Sequence, residues 1–173
     1  MGSFSLNSNG ELQVIPSVHS TQNDFDFLVG NWIIHNRRLK TRLTNCQDWT
    51  EFQASGTQRK ILRGLGNIDN FITDFDGIPF EGMSLRIFNP KTRLWSIYWA
   101  DTNTGSLNKP VVGSFDNNLG KFYCKDFFNG RDILVMFEWD KTDLEKPIWR
   151  QAFSPDLGKT WEFNWYMTFT RGK

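Results

Sequence analysis

From about residue 32 onward, apolar and polar side chains alternate in short runs separated by glycine, asparagine, aspartate and proline. Alternation puts every second side chain on one face of an extended chain, so the period predicts half-buried β-strands. The runs fall at 32–43, 49–54, 57–63, 68–73, 83–88, 93–101, 111–115, 121–128, 131–140, 147–154 and 160–170. They amount to about ten strands, with no long helical pattern between them. Asn129-Gly130 is a two-residue hairpin signal and Asn89-Pro90-Lys91-Thr92 is good turn chemistry, so neighbouring strands are expected to run antiparallel.

The same alternation assigns faces. In the last run Trp161, Phe163, Trp165, Met167, Phe169 and Arg171 share one side, and this set is expected to face the interior. Equal parity groups Trp95, Ile97, Trp99 and Asp101, then Met83, Leu85 and Ile87, then Ile133, Val135, Phe137 and Trp139, and finally Trp149, Gln151 and Phe153. A sheet with one apolar face and no helices to cover it must close on itself or stack, and closure is favoured. The expected fold is therefore all-β, an antiparallel barrel of about ten strands. One run departs from the pattern, because Leu134 and Met136 lie opposite Ile133 and Val135. Either the N-terminal arm or a loop covers them, or they form a homodimer contact.

The stretch from Phe25 to Trp32 supplies a hydrophobic lead-in, a glycine at Gly30 and a large ring at Trp32, which together would plug one barrel end. Arg171 on the last strand can lie over that ring and donate to nearby carbonyls. Asn23 or Asp24 is placed to cap one short helical turn over 25–28. Residues 1–22 are rich in Ser and Asn and read as a flexible or loosely docked arm. A single domain is expected over 23–173.

Composition narrows the function classes. Eight Trp, sixteen Phe and three Tyr in 173 residues fit aromatic strands, and a formal net charge of +1 provides no long-range field. Neither nucleic acid nor an anionic membrane is indicated, and the cations Arg37, Arg38, Lys40, Arg42, Arg59, Lys60 and Arg63 leave nucleic-acid binding a remote reading. Cys46 and Cys124 stand far apart and no apolar leader is evident, so both are expected as thiols in a cytoplasmic protein. His19 and His35 are the two histidines and have no ligand spacing, so neither metal nor cofactor is expected. The stretch Ser154-Pro155-Asp156-Leu157-Gly158-Lys159-Thr160-Trp161 has the form of an Asp-box hairpin, a structural device that carries no glycosidase activity in a single copy.

Candidate chemistry lies at two places. His35-Asn36-Arg37-Arg38-Leu39-Lys40-Thr41-Arg42 is the densest polar stretch in any strand, and parity turns either His35 and Arg37 or Asn36 and Arg38 inward. An arginine among aromatic rings is costly unless it meets an anion, so one reading is an anchor for an acidic ligand and the other is a solvated outer face. Asp101, Gln151 and Tyr123 are the remaining polar candidates, beside walls formed by Trp99, Phe137 and Trp165.

At Phe25–Trp32 together with Arg171 the chain resembles a calycin, the superfamily of lipocalins, fatty-acid-binding proteins and nitrobindin. More narrowly it resembles an uncharacterised bacterial family of calycin-like domains, through FDFLVGNW, HNRRLKTRL, LRIFNPKTRLWSIYWAD, PVVGSF and WRQAFSPDLGKTWEFNWYMTFTR. The resemblance implies a barrel with a central cavity and no particular activity. Trp32 and Arg171 match the lipocalin closing pair. Nitrobindin-like haem binding requires a histidine in the C-terminal half, and none follows His35. Leu134 and Met136 stand where the narrower family carries polar or basic residues.

Three functions are consistent with these features. The first is binding of an apolar or mixed-polarity small molecule in the lumen, by His35, Arg37, Arg38, Trp99, Asp101, Tyr123, Phe137, Gln151 and Trp165. The second is a cofactor-independent isomerase or cyclase acting on a natural-product intermediate, with His35 or Asp101 as catalytic acid or base. The third is a filled-barrel dimeric module that uses the Leu134/Met136 face.

Overall fold

The computed structural model describes residues 3–172 and is all-β. A two-stranded hairpin, β1 (Ser3–Leu6) and β2 (Leu12–Ile15), precedes the barrel. The barrel strands are β3 (Gly30–Leu39), β4 (Trp49–Ile61), β5 (Gly66–Phe75), β6 (Ile78–Asn89), β7 (Leu94–Asp101), β8 (Val111–Asp116), β9 (Leu119–Phe128), β10 (Arg131–Asp140), β11 (Ile148–Ser154) and β12 (Glu162–Arg171). They close in the order β10-β11-β12-β3-β4-β5-β6-β7-β8-β9, every pair antiparallel. Closure removes the edges that an open aromatic sheet would expose to self-association. The expected barrel is therefore the observed one. The runs flanking Gly56 are one continuous strand, β4. Among the described residues no helix is long and apolar enough to cross a membrane.

One end is sealed by the segment before β3. A single 3-10 turn, Asp26–Leu28, drops Phe25, Phe27 and Leu28 into the barrel, where Phe25 meets Trp95 and Phe115 edge-on at 4.9 and 5.0 Å. No side chain caps this turn. Asp24 instead accepts from Ser20 Oγ at 2.7 Å and from the Thr21 amide at 3.0 Å, closing the loop before it. Trp32 donates its indole N–H to the Leu28 carbonyl at 2.6 Å. The Arg171 guanidinium lies 4.0 Å from the Trp32 ring and donates to the carbonyls of Val29 and Phe27 at 2.9 and 3.2 Å. Gly30 sits between them at φ +117°, a conformation that side chains rarely adopt.

The N-terminal segment lies on the outside of the barrel. Phe4 reaches the Tyr123 ring at 4.7 Å and the Trp161 ring at 6.3 Å, and with Leu12 it covers Met136 and Ala152. Leu134 and Met136 are both buried, and for Met136 the cover is the N-terminal arm, the first of the two readings of this stripe. An apolar stripe on a barrel exterior needs a cover, and the chain's own hairpin supplies it.

In β12 and β6 the facings differ from the expected ones. Against β11, the register of β12 passes from Gln151↔Trp165 to Ala152↔Phe163, so Asn164 is an extra, bulged residue. A one-residue slip inverts every side chain beyond it, and Phe163 and Trp161 join the outer cluster while Trp165, Met167 and Phe169 stay inside. In β6 the register Arg86↔Ile97 places Ser84, Arg86 and Phe88 inward with the Trp95, Ile97, Trp99 row. Met83, Leu85 and Ile87 face outward, half-buried.

Candidate functional site

The lumen encloses a cavity of about 370 Å³. That is near the lower end of the range for small-molecule sites. Its walls are the inward rows of β5, β7 and β10 to β12, including Phe71, Trp99, Phe137, Trp149, Trp165 and Phe169. The rings interlock rather than fill the space: Trp149 meets Phe137 at 4.9 Å and Trp165 at 5.6 Å, both edge-on. Trp99 gains its place from Gly82, where an added Cβ would collide with the indole.

At the base, next to the plug, stands Arg86. Only 4 % of its surface is exposed, and its Nη1 lies 2.6 Å from the Asp69 carboxylate and donates to Gln58 Oε1 and Asn67 Oδ1, both at 3.1 Å. Asp69 in turn accepts from the Ser84 amide at 3.0 Å, and Gln58 donates to the Phe25 carbonyl at 3.2 Å. The network ties the sheet to the plug and compensates the buried cation, as a charge in this setting requires. Its Nε is buried with no partner.

The open end carries two further guanidiniums. Arg38 is surrounded by rings, its Cζ 5.1 Å from Trp165 and 5.6 Å from both Phe52 and Phe75. Arg42 lines the cavity with its Cζ 5.8 Å from Phe153. Burial lowers the pKa of both; for Arg42 the neighbouring Arg38 lowers it further, while Glu162 acts in the opposite direction.

Trp99, Asp101, Phe137, Gln151 and Trp165 all border the cavity. Two of them are held by polar contacts within the wall: Gln151 donates to Asn164 Oδ1 at 2.8 Å, and the Trp165 indole donates to Asn36 Oδ1 at 3.0 Å. Asp101 is engaged by its own turn, accepting from the Trp99 indole at 2.8 Å and from the amides of Asn103 and Thr104 at 3.0 Å each. Burial would raise its pKa, but the Trp99 and turn donors outweigh that and hold the carboxyl below its ordinary value. A saturated, acid-shifted carboxylate is a poor general base.

His35 and Arg37 face solvent. His35 Nε2 is 3.6 Å from the Glu51 carboxylate, and Arg37 stacks over Trp49 at 4.4 Å. Of the two parities left open by the sequence, it is Asn36 and Arg38 that point inward. Neither His35 nor Arg37 touches the lumen, so the acid–base role considered for His35 has no geometry behind it. Tyr123 also lies outside, because it pairs with Met136 and packs under Phe4; Phe122 and Cys124 are the inward residues of β9. Cys124 borders the cavity, and burial, with Asp126 adding to it, pushes its thiol up to about 12.

Arg86 and Asp69 are not among the residues marked by the sequence, and Arg42 is marked there only as the end of the polar stretch from His35 and as one of the basic side chains. For Arg86 the signal was the hairpin itself: a four-residue turn at 90–93 pairs residue 86 with 97, which faces inward. Nothing local tells that Arg42 faces the cavity, since it follows the end of β3 and is aimed by the loop.

The chain matches no family model, and no curated protein matches it. Among solved structures it is similar to the crystal structure of Rv2717c from M. tuberculosis, with a TM-score of 0.54 and 9% sequence identity over 87% of this chain and 98% of that one. At that identity the likeness concerns the fold: this chain is a ten-stranded antiparallel β-barrel with a structural neighbour of the Rv2717c type.

Proposed function

We propose that this protein binds a small molecule of apolar or mixed polarity inside a calycin-like barrel. The observation that carries the reading is the cavity of about 370 Å³ left between aromatic walls that are otherwise closely interlocked. Interiors built for stability alone are packed to crystal-like density and keep few voids larger than a water molecule. Trp99, Phe137 and Trp165 supply apolar contact, and Gln151, Arg42 and Arg86 supply the polar groups at its borders, with Arg38 behind the Trp165 ring. That composition, apolar walls with a few convergent polar groups, is what recognition of a small molecule requires.

The acid–base enzyme reading is not supported in the same way, because His35 is outside and Asp101 is saturated. The filled-barrel module is disfavoured by the cavity and by the covered Leu134/Met136 face.

The test is native mass spectrometry of protein purified from its own host, before and after mild denaturation. A discrete extra mass per chain, released on unfolding, is the expected result. A bare chain that also takes up none of a panel of apolar fluorophores, with Trp99→Ala and Trp165→Ala changing nothing, would overturn it.

A further inference from the structure

We propose that Arg38 and Arg42 form an anion site at the open end of the lumen, and that the occupant is an amphipathic organic acid. Its apolar body would lie in the cavity and its acid group would lie on the two guanidiniums. The inference rests on the lumen being a binding site and adds the chemical class of what binds there.

The first reason is incompletely compensated charge, two guanidiniums against one carboxylate. Among the described residues the Arg38 guanidinium makes no hydrogen bond or ion pair, and it lies half-buried among Phe52, Phe75 and Trp165. Arg42 has a buried Nε with no partner. The carboxylate acting on Arg42 is Glu162, yet both its oxygens accept from the Leu43 amide, at 2.9 and 3.0 Å. Two cations held close together in partly desolvated surroundings repel each other and lose hydration, so the site is stabilised when an anion enters. The base of the lumen is different: Arg86 already has Asp69 at 2.6 Å and two amide oxygens, so its charge is met within the protein.

The second reason is continuity. The Trp165 ring is both the nearest of the three aromatic neighbours of Arg38 and part of the cavity wall, and Phe153 plays the same double part for Arg42. A single molecule can therefore touch the wall with its apolar part and the guanidiniums with its acid. Guanidinium forks suit carboxylate and phosphate oxygens, which they take in paired hydrogen bonds, and ring stacking fixes their orientation beforehand.

The test compares acids with their neutral alcohols on two scaffolds, by equilibrium dialysis at neutral pH: dodecanoate against dodecanol and 2-naphthoate against 2-naphthalenemethanol. At least one acid is expected to bind about tenfold or more tightly than its alcohol. In Arg38→Gln/Arg42→Gln the acid should fall to the level of the alcohol, whose own binding stays unchanged, and Arg38→Lys/Arg42→Lys should keep part of the preference. Glu162→Gln, which removes the opposing carboxylate and leaves both arginines, should tighten the acid severalfold, and it decides the matter if the double variant fails to fold. Equal binding of acid and alcohol, or an acid preference that survives in the folded double variant, would overturn the anion site and leave the lumen reading intact. Failure of all four probes to bind would overturn both.

Discussion

The Arg86 guanidinium and the Asp69 carboxylate meet at 2.6 Å inside the barrel, at the foot of the cavity and against the aromatic plug. Removing one partner of such a pair leaves a desolvated charge, whereas removing both leaves an apolar site. Asp69→Asn should therefore cost about 3 kcal/mol in urea unfolding, and Arg86→Met/Asp69→Asn should recover a good part of that loss. A double variant destabilised by the sum of the two single losses would show that the pair is not coupled.

Closure of the plugged end depends on Arg171 as a fork rather than as a charge. It covers Trp32 at 4.0 Å and donates to two carbonyls at once. Arg171→Ala is expected to lose about 2 kcal/mol and Arg171→Lys more than half as much, because an ammonium cannot reach both carbonyls while stacking. A lysine variant as stable as the parent by thermal unfolding would refute the geometric account.

Both cysteines are free, and they should separate in thiol reactivity. The Cys46 pKa is lowered, first by a hydrogen bond with the Thr41 side chain and then by the Thr41 and Asp48 backbone, while the Cys124 thiol is pushed up to about 12 by burial. At pH 8 iodoacetamide should modify one thiol quickly and the other slowly, since the thiolate is the reacting species. Cys46→Ser should abolish the fast phase. A single rate for both would be incompatible with a buried, lumen-facing Cys124.

Asp156 organises the turn between β11 and β12, accepting from the Thr160 amide at 2.9 Å and from the Thr160 and Ser154 hydroxyls at 2.7 and 2.8 Å. The Thr160 amide and hydroxyl lead in lowering its pKa to about 2. A carboxyl depressed on folding contributes stability that is present above its unfolded value, near 4, and is lost as pH falls through the folded value. The parent should thus lose stability between about pH 4 and 2, and Asp156→Asn should show a shallower decline over that interval. Parallel acid-unfolding curves would remove the turn from the account.

Parity within one strand says which residues share a face but not which face is inside, and at β6 hydrophobicity pointed to Met83, Leu85 and Ile87 while the barrel turned Arg86 inward. Tyr123 was misplaced for a related reason: the two-residue turn at 129–130 pairs it with the outward Met136. Both answers were present in the turn lengths, which set register between strands. The bulge at Asn164, which sent Trp161 and Phe163 outside, has no such local sign.

By itself the sequence determined the fold class, the antiparallel order and the closing elements Gly30, Trp32 and Arg171, because alternation, turn residues and aromatic plugs act over short range. It also determined that Trp99, Phe137, Gln151 and Trp165 share the inner face. Only the tertiary structure decided that the hairpin Ser3–Ile15 covers Met136, that Asn36 and Arg38 rather than His35 and Arg37 point inward, and that Arg42 joins Arg38 at the mouth. These depend on register and on contacts between residues more than a hundred positions apart, such as Trp165 with Asn36. Periodicity along one strand carries no information about them, since it is closure of the barrel that selects which of two equivalent faces becomes the lumen.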